Sequence, residues 1–211
     1  MPAQSGKALC MNSADDISFV RDAVPGDVPR LLEIYQYYVL NTAVTFDCEV
    51  PSEQDFVRQL EEISSRYPYL VIEAGGRTAG YACAHPFVGR QAYDWSAETT
   101  IYMDPDMRGR GLGAKLYTAL EEHLREMGIL NLYACIGYPG KEDEYLTTAS
   151  ADFHAHLGFR KVGEFRCCGY KFGRWYHMIW MEKIIGEHRQ NQPPVRHGAR
   201  ASRQGAQKGH Q

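Results

Sequence analysis

"YMDPDMRGRGLGAKLYTALEEHL" (residues 102–124) runs from a strand-like segment into a strongly periodic helix through Arg108, Gly109, Arg110, Gly111 and Gly113. Leu112, Leu116, Leu120, Leu124 and Met127 recur on one helical face, and Gly128 follows as a stop signal. The first turn of such a helix offers unpaired N–H groups and the positive end of the helix dipole, both suited to phosphate. Glycines let the backbone come close to a ligand, and the two arginines add charge.

Two familiar phosphate loops fail against this stretch. A nucleoside-triphosphate loop starting at Gly109 needs Gly-Lys-Ser/Thr at 114–116, where the sequence has Ala114-Lys115-Leu116. A dinucleotide fold places its GxGxxG turn after the first strand, whereas here the spacing is GxGxG and the loop lies in mid-chain.

Working outward, SFVRDAV (18–24) reads as a strand, and Gly26-Asp27 opens a helix carrying Leu31, Ile34, Tyr35, Tyr38 and Val39. Ser52 and Asp55 resemble a capping box before a second helix with Phe56, Leu60 and Ile63 inward. Residues 69–87 form two apolar runs split by Gly75-Gly76-Arg77, a hairpin signal, and AETTIYM (97–103) is a third strand. After the glycine-led helix come a strand (130–136), a short helix in SADFHAHLGF, and two strands around 162–171 and 175–184. The predicted fold is α/β, a single domain with a mixed β-sheet flanked by helices and a strand-helix-strand crossover at its centre.

Composition bounds the function. With 44% hydrophobic and 12% aromatic residues, the chain can bury a full core. No segment reads as a signal peptide or membrane span, so a cytoplasmic protein is expected, with no membrane partner. From Arg189 onward there are five Lys/Arg and no acid, leaving 18 Lys/Arg against 26 Asp/Glu in the body. An acidic body argues against nucleic acid as a partner. The composition predicts a flexible extension at 1–17, a folded domain at 18–185 and a basic, disordered tail at 186–211. Six cysteines without CxxC pairs or zinc-like His spacing predict free thiols and no metal, with Cys167 and Cys168 on opposite faces of a strand.

Arg108, Gly111 and Gly113 meet the Arg/Gln-x-x-Gly-x-Gly/Ala signature of the Gcn5-related N-acetyltransferase (GNAT) family. RDAVPGDVPRLLEIYQYYVLNTAVTFD, AETTIYM, SADFHAHLGF and GEFRCCGYKFGRW resemble its phosphinothricin-acetyltransferase branch over about residues 18–183. The resemblance implies an acetyl-CoA-dependent N-acyltransferase, commonly a homodimer, whose substrate is a small, amino-acid-like primary amine attacking directly in a ternary complex. It places the cofactor on Ile101, Tyr102, Met103, Arg108, Gly109, Arg110, Gly111, Leu112, Gly113, Ala114 and Thr147. Glu98 takes the place of the general base, and His154 stands where relatives carry a thiolate-protonating acid, or is a packing histidine on a short helix. A backbone bulge at Met103 is expected to aim its N–H at the thioester oxygen. Phe87, Tyr93, Trp95, Tyr170 and Trp175 are candidates to wall an acceptor pocket, or to fill the core or a subunit interface.

One departure from the branch is on the cofactor side, Thr147 where relatives usually carry asparagine, and the others lie on the acceptor side. Val88 and Asp94 replace arginines, leaving Arg90 as a candidate carboxylate contact, and His177 stands where relatives tend to have Asp. Two other readings stay open: a non-catalytic acyl-CoA sensor, with no need of Glu98, and an enzyme acetylating protein N-termini or lysines, with an open groove.

Overall fold

The computed structural model describes residues 17–198. Its elements are β1 (Ser18–Asp22), α1 (Val28–Asn41), α2 (Glu53–Ser64), β2 (Tyr69–Ala74), β3 (Arg77–Pro86), β4 (Ser96–Met103), α3 (Leu112–Met127), β5 (Asn131–Tyr138), α4 (Ala149–His156), β6 (Arg160–Lys171) and β7 (Arg174–Ile184). This is the element order that the hydrophobic spacing predicts. Ser52 caps α2 as expected, its hydroxyl accepting from Asp55 N–H at 3.1 Å.

The seven strands form one sheet in the order β1-β2-β3-β4-β5-β7-β6. Every neighbouring pair is antiparallel except β4 and β5, which are parallel and joined through α3. Strand alternation sorts the side chains into two layers. On one face Leu116, Tyr117, Leu120 and Leu124 of α3 pack against Ala82, Ala84, Ala97, Leu132 and Ala134. On the other, Leu31, Ile34 and Tyr38 of α1 and Phe56 and Leu60 of α2 cover Tyr69, Val71, Tyr81 and Cys83.

The feature that shapes the site is the short β4–β5 ladder. Its rungs are Ser96↔Asn131, Ala97↔Leu132 and Glu98↔Tyr133, yet β4 runs on to Met103 and β5 to Tyr138. Beyond Glu98 the two strands diverge and leave a gap in the sheet. At the fork, Thr99 Oγ1 donates to the Tyr133 carbonyl at 3.1 Å, and the Tyr117 hydroxyl bonds Thr99 in turn. The chain after α1 presses on the far half of β5: a Cβ at Gly137 would lie 2.8 Å from the Ala43 carbonyl. Only glycine admits that approach.

Two expectations need correction. Residues 186–198, assigned by composition to a disordered tail, lie against the body. Trp95 Nε1 donates to the Pro193 carbonyl at 2.8 Å, Arg196 N–H bonds Met127 O at 2.9 Å, and Val195 packs on the core. A few well-placed anchors suffice here, and bulk composition does not register them. Residues 1–16 and 199–211 lie outside the described residues. Cys167 and Cys168 do not alternate as in a regular strand: Cys167 has φ +50° inside a register shift between Phe165 and Gly169, and both thiols are exposed.

Candidate active site

The edge of β4 facing the gap can be read from its hydrogen bonds. Asp104 N–H bonds Ala79 O at 2.8 Å on the β3 side, and the β3–β4 register is unbroken from Pro86↔Ala97 to Gly80↔Met103. Backbone groups alternate along a strand, so Tyr102, Thr100 and Glu98 turn theirs toward β3, while Met103 and Ile101 turn theirs into the gap. Pro86, which has no N–H, falls opposite Ala97 at a non-bonded position, as this phase requires.

The expected bulge is therefore missing from β4, and exposure of the backbone comes instead from the departure of β5. Tyr102 is also corrected as a backbone contact. Its ring packs edge-on to Tyr35 and Tyr38, with centroids 5.0 and 4.9 Å away. Met103 N–H is engaged by the Tyr38 hydroxyl at 3.2 Å, and that hydroxyl donates to Met103 O at 2.6 Å. Tyr38 thus caps the mouth of the gap.

The glycine loop follows directly. Asp104, 5% exposed, is clamped by Arg30 and Arg77 and accepts from Asp106 N–H at 2.9 Å, which holds the turn between β4 and α3. Gly111 is the N-cap of α3 with φ +74° and no side-chain cap, and Gly109 has φ +73°. Cβ atoms at either would meet nothing within 4 Å, so backbone conformation and open access explain these glycines. The first bond of α3 is Lys115 N–H to Gly111 O, and its first turn holds no acid. The N–H groups of Leu112, Gly113 and Ala114 are thus left for an anion. Gly113 lies against Phe153, where a Cβ would sit in ordinary contact at 3.4 Å. Arg108 lies over the Tyr38 ring, 5.0 Å from its centroid, and Arg110 is exposed beside the loop. An uncapped helix start with an open glycine cradle fits a pyrophosphate, and the adjoining gap fits an extended arm.

Glu98 sits at the fork, half-buried, on the face opposite α3. Burial raises its carboxyl above the usual range, while the charge of His85 pulls it down. Around it lies an aromatic shelf: Phe87 stacks on Tyr133 at 4.1 Å and meets Trp180 edge-on at 5.5 Å and Tyr93 at 5.8 Å. Beside the shelf is a depression of about 280 Å³ lined by Arg66, Tyr67, Phe87, Arg90, Tyr93 and Asp94. Phe87, Tyr93 and Arg90 therefore gather at this depression, which Glu98 does not line. Trp95 does not join them, because its indole N–H anchors the C-terminal segment. Tyr170 and Trp175 pair across β6 and β7 at 5.0 Å and are 58% and 62% exposed. Trp175 lies seven residues along β7 from Glu182, the partner of Tyr133, or about 23 Å away. His177 serves the hairpin, its Nδ1 accepting from Cys167 N–H at 2.9 Å. Tyr133 and Trp180 escaped the sequence reading because only strand pairing puts them on the shelf.

His154 is placed for packing. It is 4% exposed, with ring contacts to Tyr117, Phe153 and Phe159, and Nδ1 bonds the Ser150 carbonyl at 2.8 Å. Burial lowers its pKa and favours the neutral ring, so the expected acid role loses its footing. Thr147 is exposed before α4, its hydroxyl accepting from Ala149 N–H at 3.4 Å.

A parallel-stranded fork beside an uncapped, glycine-led helix and a half-buried carboxylate is an arrangement suited to acyl transfer. The model of the acetyltransferase (GNAT) domain matches residues 20–180, and the chain belongs to the GNAT acetyltransferase family. It is 34% identical to the phosphinothricin N-acetyltransferase of Streptomyces viridochromogenes over 164 residues, covering 78% of this chain and 86% of that protein. It is 32% identical to the L-methionine sulfoximine/L-methionine sulfone acetyltransferase of Pseudomonas paraeruginosa, covering 77% and 92%. The crystal structure of a phosphinothricin acetyltransferase from Sinorhizobium meliloti in complex with acetyl-CoA superposes with a TM-score of 0.76 at 32% identity, covering 84% of this chain and 93% of that one.

His154→Asn is expected to cost about 1–2 kcal/mol of stability through lost ring packing and burial, while kcat changes by less than about threefold. Urea denaturation and steady-state kinetics check this. A hundredfold fall in kcat in a folded variant would restore the acid role.

Proposed function

We propose that this enzyme transfers the acetyl group of acetyl-CoA to the primary amine of a small amino-acid-like substrate, by direct attack within a ternary complex. The observation that carries the reading is Glu98, a half-buried carboxylate at the fork between an aromatic shelf and the gap. Names of relatives that act on phosphinothricin and on methionine sulfoximine or sulfone support the substrate class.

The amides of Leu112, Gly113 and Ala114, the cradle of Gly109 and Gly111, and the charges of Arg108 and Arg110 are assigned to the pyrophosphate of acetyl-CoA. The edge of β4 at Ile101 and Met103 is assigned to its extended arm. When bound, this co-substrate supplies an acetyl group activated as a thioester. Met103 N–H, held among the described residues by the long bond to Tyr38, is the donor we assign to the acyl oxygen. Glu98 receives the proton of the acceptor ammonium and so frees the nitrogen lone pair; as the C–N bond forms the C–S bond breaks, and the nitrogen's surplus proton leaves on the CoA sulfur as a free thiol. Its raised pKa makes it a stronger base than an ordinary glutamate.

Direct attack is favoured over an acetyl-cysteine route by the thiols near Glu98. Desolvation pushes Cys83 up to about 12 and Cys135 up to about 11, so neither supplies thiolate near neutral pH. Homodimerisation is supported by Val162, Phe165, Tyr170 and Trp175, which leave exposed apolar surface on the edge hairpin β6–β7. Trp175→Asp should then convert a dimer into a monomer in sedimentation analysis; a monomeric wild type would end that assignment.

Glu98→Gln should lower kcat about 10²–10³-fold for the preferred amine while acetyl-CoA binds as before. Thiol release across amino acids, methionine sulfoximine and sulfone, phosphinothricin, polyamines and short peptides reads this out. No acceptor despite tight cofactor binding would favour a sensor. Because folding raises the Glu98 pKa, wild-type stability is full below the ordinary glutamate range and is lost as pH rises through the folded value. The Gln variant should therefore be the more stable protein at pH 7, with the advantage vanishing in acid.

A further inference from the structure

Glu98 is not alone on its face of the sheet. In the β3–β4 register His85 stands directly opposite it. Alternation puts both on the shelf side, because Tyr81 and Cys83 of β3 pack with α1 and α2 while Ala82 and Ala84 pack with α3. Counting back in steps of two from the Asp104–Ala79 bond makes His85 and Glu98 a hydrogen-bonded pair. Such pairs have Cα atoms about 5.5 Å apart and side chains on one face.

The other titratable groups facing Glu98 do not compete for this role. Cys83 on β3 and Cys135 on β5 are thiols held protonated, with the charge of Glu98 adding to desolvation. Tyr133 on β5 is raised by desolvation and by Glu182 of β7, which is itself paired with Arg160. His85 is the one basic side chain set against Glu98 among the described residues. It is half-buried, and its ring makes no hydrogen bond to the protein among the described residues. One edge can face the carboxylate while the other reaches solvent.

We infer that His85 is a positioning residue for Glu98, which holds the carboxylate ready and carries its proton to solvent after each transfer. The inference rests on the reading of Glu98 as the base. A carboxylate that has taken a proton from the acceptor ammonium must lose it before the next turnover. The Glu98 O–H gives its proton to one imidazole nitrogen and becomes a carboxylate again. The imidazolium then releases a proton to water, and no bond except those to hydrogen changes.

The test compares wild type with His85→Gln, which never carries charge, and His85→Arg, which always does. The carboxyl carbon of Glu98 is titrated by carbon-13 NMR, and kcat/KM is followed from pH 5 to 9. With Gln, the Glu98 midpoint and the acid limb of kcat/KM should move to higher pH, with at least about a threefold loss on that limb. With Arg, the midpoint should move the opposite way. A packing role would not give shifts of opposite sign. If neither variant moves the Glu98 titration, the role of His85 is overturned even where Glu98→Gln is inactive. If Glu98→Gln keeps wild-type turnover, the base reading falls instead, and the NMR titration still reports whether His85 sets the Glu98 charge.

Discussion

Three rungs hold β4 to β5, and then the strands part. Everything that marks this molecule as an acyl-transfer enzyme depends on where that ladder stops. A parallel pair needs a crossover, and α3 supplies it, so the same connection that closes the ladder also delivers a helix N-terminus to the head of the gap. Thr99, itself bonded to the Tyr117 hydroxyl, donates to the Tyr133 carbonyl that divergence leaves without a strand partner, which lets the fork end without a buried unpaired acceptor. Gly137, with the Ala43 carbonyl pressed against it, accommodates the other arm.

The fork also divides the chemistry. On one side of it the backbone of β4 turns Ile101 and Met103 outward and leads into the uncapped first turn of α3. On the other, Glu98 is held at partial burial among Phe87, Tyr133 and Trp180. Burying a carboxylate costs stability, and here it raises the pKa of the group to which the proposed reaction assigns the role of base. Asp104 shows the contrasting use of an acid: clamped by Arg30 and Arg77, it holds the turn that carries the cradle in place.

Much of this was legible in the sequence because it is written in local pattern. The leucine stripe of α3, the Ser52 cap, the Gly75–Gly76 turn and the glycine-led helix entry each depend on residues a few positions apart. Pairing between distant strands is a different matter. That Tyr102 turns its backbone to β3, that Trp95 is spent on the C-terminal segment, and that Trp175 stands far from Glu98 all follow from register, which hydrophobic spacing leaves open. The choice between the two readings of His154 turns on distant neighbours for a related reason. A histidine on a short helix looks chemically available until Tyr117, Phe153 and Phe159 close around it.

The central claim is that the parting of β4 from β5 creates the acetyl-CoA site. Residue-resolved amide hydrogen exchange, with and without acetyl-CoA, tests it most directly. Protection should rise at Ile101 and Met103 and in the first turn of α3 at Leu112, Gly113 and Ala114, while Tyr102, already bonded to β3, stays unchanged. Saturating acetyl-CoA that leaves those five amides as they were, or protects Tyr102 in their place, would contradict the account.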